Sequence, residues 1–234
     1  MMKRLSTVMA VAAALLTGIG SSRAASLEVG PIRVQMYGGE RTTTVTLRNS
    51  GTDPMSVQVR AVDWTQNEGG DAYAPSTTLV ASPPLAQIAP GESQVVRLVI
   101  ENVPEVAAER TYRLILDEIP GERAGGVGVQ TALRALVPVF ITPSANSRPR
   151  LRWSAVRSGT NVNLSAHNDG QSRERLVNAR VTAGGTDLGT RPEGYVLSGA
   201  SRTWVLPAPA GATSVRVTGE GEYGAVEVDV PIGS

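Results

Sequence analysis

The chain contains no cysteine, which excludes thiol nucleophiles, cysteine–zinc sites and disulfide scaffolds. Histidine occurs once, at His167. Transition-metal sites recruit several imidazoles or thiolates, so one histidine is poor ground for a metal centre. A Ser–His–Asp arrangement around His167 and Asp169 would also need a serine on a nucleophile elbow, and no G-x-S-x-G occurs. His167 reads instead as a turn residue beside Asn168, Asp169 and Gly170. Lysine is confined to Lys3, so any fixed cation beyond it is an arginine, the better partner for two-pronged capture of a carboxylate. Aromatics are few (one Phe, three Trp and five Tyr), so the core must rest on Val, Leu, Ile and Ala. No stretch sustains a 3.6-residue apolar rhythm. No G-x-x-x-x-G-K-[ST] occurs, so no ATP site is expected, and no other cofactor is implied.

Within 234 residues, 41% are hydrophobic and 18% charged, the balance of a folded soluble chain. The N-terminus has the layout of an export signal. Met1-Met2-Lys3-Arg4 is basic, Val8–Ile19 is apolar, and Ser22-Arg23-Ala24 supplies small residues at the cleavage positions. Residues 1–24 are therefore expected to be a signal peptide, and the apolar run is too short for a comfortable membrane span. Without Lys3, Arg4 and Arg23, 22 − 3 = 19 basic residues face 21 acidic ones, a net charge of 19 − 21 = −2. That balance gives no broad field for nucleic acid.

Strand signals dominate after Ala25. Candidate strands are 27–36, 42–49, 56–63, 78–80, 94–100, 111–118 and 127–141, rich in Val, Thr, Leu and Ile and bounded by Gly, Pro, Asn and Asp. Thr142 to Pro149 then reads as a short, stiff linker. Further strands are expected at 151–156, 161–166, 176–182, 195–197, 203–206, 214–218 and 225–230. The fold class is all-β, with two immunoglobulin-like sandwiches in tandem, residues 25–145 and 146–234. Gly219 to Gly224 fits G-x-G-x-x-G, but an alternating strand follows it rather than a helix, so it reads as a hairpin loop. Asp117 and Glu118 are adjacent on a strand and point to opposite faces, which makes them a poor acid–base pair.

The segment Tyr112 to Pro143 carries most information. Its odd positions, Val127, Val129, Thr131, Leu133, Ala135, Val137, Val139 and Ile141, share one face. Taken alone, the pattern suits an ordinary buried sandwich strand. At a sheet edge the same strand would be a template for pairing with another chain.

Several motifs in order resemble the periplasmic chaperones of the chaperone–usher pathway. They are Gly30-Pro31-Ile32-Arg33-Val34, Leu47-Arg48-Asn49-Ser50-Gly51, Val57-Gln58-Val59-Arg60-Ala61, Pro83-Pro84-Leu85, Pro90-Gly91-Glu92 and Gln94-Val95-Val96-Arg97. Tyr112-Arg113-Leu114 through Glu118-Ile119-Pro120 is the most specific, and Phe140 followed by Pro143 closes the seventh strand as the family does. In the second half, Asn168 and Gly199 to Leu206 fit the family's C-terminal domain.

The resemblance implies binding rather than catalysis. Such a chaperone lends a strand to a pilus or fibre subunit that lacks one, and passes the subunit to an outer-membrane usher. Here the donated row would be Val127, Val129, Thr131 and Leu133. The subunit's terminal carboxylate would be anchored by Arg33. The family's second cation, a lysine, falls at Pro138, so Arg134, four residues earlier on the same face, becomes the candidate replacement. The Val-Pro-Val-Phe ending resembles the archaic, spore-coat-type branch. The alternative is an exported immunoglobulin-like structural subunit or adhesin module. An exposed apolar donor edge would also invite self-association of the free protein.

Overall fold

The computed structural model describes residues 27–67, 70–101, 107–121, 132–189 and 191–233. The expected signal peptide lies outside them, as do Val127, Val129 and Thr131 of the expected donor row. Every regular element among the described residues is a strand. The first half holds β1 (Leu27–Gly30), β2 (Val34–Tyr37), β3 (Thr42–Asn49), β4 (Met55–Asn67), β5 (Gly70–Pro75), β6 (Leu79–Ser82), β7 (Leu85–Ile88), β8 (Ser93–Ile100), β9 (Arg110–Ile119) and β10 (Arg134–Thr142). The second holds β11 (Leu151–Ser158), β12 (Asn161–Asn168), β13 (Glu174–Ala183), β14 (Thr186–Asp187), β15 (Gly194–Val196), β16 (Ser201–Pro207), β17 (Ser214–Gly221) and β18 (Gly224–Gly233).

One sheet of the first half runs β1-β3-β8-β6, and the other runs β2-β10-β9-β4-β5 with β7 on β4. Alternation decides what lies between them. Val45 and Leu47 of β3, Val96 and Leu98 of β8, Leu114 and Leu116 of β9, and Val137 and Val139 of β10 all enter one core. The second half forms a single hydrogen-bonded path, β14-β13-β17-β18-β11-β12-β16, with β15 on β13. It folds over a core that includes Val162, Leu164, Val181, Leu206, Val215 and Val217. The chain is thus two all-β sandwiches, and no ladder crosses between Thr142 and Leu151.

Two departures from the sequence expectation matter. The single strand expected over 27–36 is two. β1 pairs antiparallel with β3, whereas β2 pairs parallel with β10 in the opposite sheet. Pro31, which has no N–H to donate, lies in the step between them. The step carries Arg33 up to β10. Strands β5 and β7 were also not expected. Their Gly, Asp, Ala, Gln and Pro content gives weak strand propensity, and both are held by pairing to β4.

A buried asparagine closes a corner in each sandwich. Asn49 donates to the carbonyls of Asp53 (2.7 Å) and Ile88 (3.0 Å) and accepts the Gly51 N–H (2.9 Å). Asn168 donates to Ser172 (2.8 Å) and Val196 (3.0 Å) and accepts from Gly170 (2.9 Å) and Arg150 (3.0 Å). The segment between the sandwiches is pinned by two close approaches. A Cβ on Gly38 would lie 2.6 Å from the Pro143 carbonyl oxygen, and one on Gly170 would lie 2.4 Å from that of Arg148.

Replacing Asn168 with Ala orphans four backbone groups. It should cost about 3 kcal/mol in urea denaturation, since each buried group left unpaired costs roughly 1–3 kcal/mol. Asn163→Ala on the outer face should cost little. Similar losses for the two would show that water replaces the Asn168 amide.

Candidate functional site

Strand β10 is buried on both faces from Val137 to Thr142. Val137, Val139 and Ile141 fill the first core. Period two therefore turns Pro138, Phe140 and Thr142 to the other side, against the second sandwich. Phe140 meets Trp64 of β4 (centroids 5.9 Å) and Tyr195 of β15 (5.4 Å), and Trp64 meets Tyr195 edge-on at 5.4 Å. Leu197 and Ala200 complete this apolar joint. Gln66 fastens it, donating to the Tyr195 carbonyl and accepting the Leu197 N–H, each at 2.9 Å.

A polar chain runs beside the joint. Gln35 donates to Thr142 Oγ1 at 2.7 Å, and Thr142 donates to Glu109 Oε2 at 2.7 Å. Arg173 reaches the same oxygen through Nη1 at 2.6 Å, and its backbone N–H donates to Glu109 Oε1 at 3.1 Å. The Arg173 and Glu109 side chains are 1% and 0% exposed, and the guanidinium stands 3.6 Å above the Phe140 ring. A pair so deep survives because each charge has a charged partner and further bonds. Burial pushes the Glu109 carboxyl up, while the Arg173 charge and the bonds from Thr142 and Arg173 pull it back. Arg173 Nη2 then donates to Glu222 Oε1 at 2.7 Å, and Arg33 Nη1 meets that oxygen at 3.1 Å.

Glu222 is presented by the tip of the β17–β18 hairpin, where Gly221 pairs with Gly224. The Gly219–Gly224 segment is thus the hairpin its sequence suggested. Glu174 Oε1 accepts the Glu222 N–H at 2.7 Å and the Arg175 N–H at 2.9 Å. A Cβ on Gly221 would come within 3.0 Å of the Glu174 carboxylate, and Gly224 has φ +140°, so both positions favour glycine. Burial raises the Glu174 carboxyl above its ordinary range, against the bonds from the Glu222 and Arg175 amides.

Register places two arginines around Pro138. Arg113 is its partner on β9. Arg33 directly precedes Val34, the partner of Val139 on the other flank. The two backbones stand about 10 Å apart, two strand spacings. The Arg113 guanidinium lies 3.6 Å over the Trp64 ring and 5.9 Å from that of Tyr195, and its Nε has no partner among the described residues.

Two other features are structural. His167 Nδ1 lies 2.8 Å from Ser201 Oγ, and its Nε2 is 3.1 Å from Asp169 Oδ1. This chain of three lies on an exposed sheet face, and Asp169 is also taken by Arg152. A recess of about 430 Å³ at the domain junction is walled by Asp63, Gln66, Glu109, Tyr112 and Ser198 among others, not by His167.

The family model described as "Pili and flagellar-assembly chaperone, PapD N-terminal domain" matches residues 26–147. The chain belongs to this chaperone family. The family consists of assembly helpers rather than enzymes, and membership sets aside the structural-subunit alternative. The "Chaperone protein FimB/FhaD" of Bordetella pertussis is 25% identical over 228 residues, covering 92% of this chain and 86% of that protein. A chain in the crystal structure of the CsuC–CsuE complex of Acinetobacter baumannii is 26% identical, with a TM-score of 0.71. That complex is a chaperone with a tip adhesion subunit from archaic chaperone–usher Csu pili, and the match covers 90% of this chain and 100% of that one. The Escherichia coli chaperone DraB shares the fold, with a TM-score of 0.59, 24% identity and coverage of 89% and 96%.

In this chaperone the expected residues fall in different places. Arg33 lies at the junction of the sandwiches. Leu133 extends the β10–β9 ladder, its carbonyl accepting the Glu118 N–H at 2.9 Å, and it is half-buried. Arg134 is not beside Arg33. It stands opposite Asp117, four positions before Pro138, and is bound to that carboxylate, which Arg60 also holds at 2.6 Å. The bonds from Arg134 and then Arg60 draw the Asp117 carboxyl below its ordinary range. Arg113 was missed as a site residue, although it lies in the most specific motif. Its outward phase follows from alternation, but its place beside Pro138 needs the β9–β10 register.

Arg173→Ala should destabilise the chaperone by about 3–5 kcal/mol, because Glu109 stays buried without its partner. Arg216→Ala, which removes an exposed pair with Asp229 and Glu227, should change the denaturation midpoint little. The Glu174 carboxyl, raised in the folded state, adds stability in acid that is lost as pH rises through its folded pKa. Glu174→Gln keeps the Oε1 acceptor. It should melt above wild type at pH 7 and lose that advantage in acid, where the wild-type carboxyl is protonated. A gap that stays constant with pH would contradict this.

Proposed function

We propose that this protein is a periplasmic chaperone that caps pilus or fimbrial subunits by donor-strand complementation and hands them to an outer-membrane usher. Residues 1–24 are its export signal, 25–145 its donor domain and 146–234 its second sandwich. The observation that carries this reading is the free flank of β10. Strand β9 pairs with Arg134 through Ile141, but β2 covers only Val139 through Thr142. From Arg134 to Pro138 one backbone edge has no ladder partner among the described residues, and the expected donor row Val127, Val129, Thr131 and Leu133 leads into it. A subunit strand added there gains main-chain bonds whatever its sequence, while the alternate side chains choose its pockets.

The free edge ends at Pro138, between Arg33 and Arg113. The subunit carboxylate is held there by Arg33 and, in place of Arg134, by Arg113. Arg113 lacks a partner for Nε and is braced on Trp64, so it is preorganised for a charge-assisted bond. Arg134 is already committed to Asp117.

The test is recovery of a one-to-one complex from the periplasm with the tagged mature protein, read by intact-mass spectrometry. Arg33→Ala and Arg113→Ala should each lower recovery on the order of tenfold, the scale of a lost charged hydrogen bond. Arg134→Ala should leave it close to wild type. Leu133→Asp should abolish it, because a charge enters an apolar pocket. Equal losses for all three arginines would remove the anchor assignment. Full recovery with Leu133→Asp would remove the donor strand.

A further inference from the structure

We propose that Glu222 is an internal carboxylate that occupies Arg33 in the subunit-free chaperone and is exchanged for the subunit's terminal carboxylate on capture. This rests on Arg33 being the anchor. The group now on Arg33 is chemically what the anchor is meant to receive, a carboxylate oxygen 3.1 Å from Nη1. It comes from the other sandwich, on a hairpin tip clamped by Glu174 and by Arg148, which lies 4.9 Å over the Tyr223 ring.

Three features suit this contact to exchange. It lies at the water's edge, with Arg33 and Glu222 side chains 41% and 17% exposed, against 1% and 0% for Arg173 and Glu109. Glu222 also has a second partner. Its Oε1 stays bonded to Arg173 at 2.7 Å when Arg33 leaves, so the exchange orphans no buried charge. And the contact is incomplete, because Oε2 of Glu222 is buried without a partner among the described residues and the two-pronged geometry of a full arginine–carboxylate pair is not made.

Charge gives the contact its consequence. Arg33 and Arg173 are balanced by Glu109 and Glu222, so an arriving anion meets a neutral cluster with Arg113 beside it. A stray carboxylate gains little by displacing Glu222. A subunit that also adds a strand along β10 brings the further free energy to do so. Glu222 thus makes the anchor selective for carboxylates that arrive on a strand.

The probes are N-acetylvaline and N-acetylvalinamide, which differ in the terminal charge, titrated while the Arg33 Nε–H resonance is followed by NMR. Glu222→Gln keeps the shape of the tip and removes its charge. It should bind N-acetylvaline on the order of tenfold more tightly than wild type, the scale of one charged hydrogen bond. The amide should bind neither protein. Glu222→Ser, a smaller side chain, must shift affinity in the same direction, and melting curves establish that both variants fold. Equal affinity in wild type and Glu222→Gln, with binding lost in Arg33→Ala, overturns the exchange but keeps the anchor. Binding retained when Arg33→Ala is added to Glu222→Gln puts the carboxylate elsewhere, and the anchor falls too. No binding by Glu222→Gln also overturns the exchange.

Discussion

The arrangement depends on the salt bridge between Glu109 and Arg173, made out of water between two sandwiches that share no ladder. Each side alone would carry an unacceptable buried charge. Joined, they fix the depth at which the second sandwich meets β10, and Phe140 fills the space beneath the guanidinium. The apolar joint of Trp64, Phe140 and Tyr195 contributes area, but area alone would let the surfaces slide. The buried ions and the Gln66 bonds set the register.

That geometry divides β10 by function. Its C-terminal part is sealed by β2 on its edge and by sandwiches on both faces. Its N-terminal part keeps an open flank. Arg33 stands at the boundary because the first strand changes sheets just before it. A chain that ran straight from Leu27 to Met36 in one sheet would leave this arginine away from β10.

Much of this was legible in the sequence. Alternation in Val137, Val139 and Ile141 identified the core-facing row, and the Gly219–Gly224 hairpin followed from the strand after it. The strand break at Pro31 was not legible, because Val, Ile and Met on both sides continue the same β pattern. The second cation was not legible for a different reason. Counting along one strand led from Pro138 to Arg134, but strand neighbours lie across the ladder, and Arg113 is reached only through the register. Tyr195 and Glu222 come from the far sandwich, so nothing local marks them as parts of the junction. The repeated Asn-x-Gly corners, Asn49 to Gly51 and Asn168 to Gly170, were visible, but only burial shows that they are clamps.

The two glycine contacts on the connecting segment bear on how the molecule works as an instrument. Gly38 lies against Pro143 at one end of that segment and Gly170 against Arg148 at the other, and the Arg150 amide is tied to Asn168. A connector gripped at both ends cannot act as a hinge. The opening between the sandwiches is a fixed gauge, like the jaws of a locked caliper. Such a gauge measures the distance from a client's tail to its missing strand, and clients are selected by length as well as by charge.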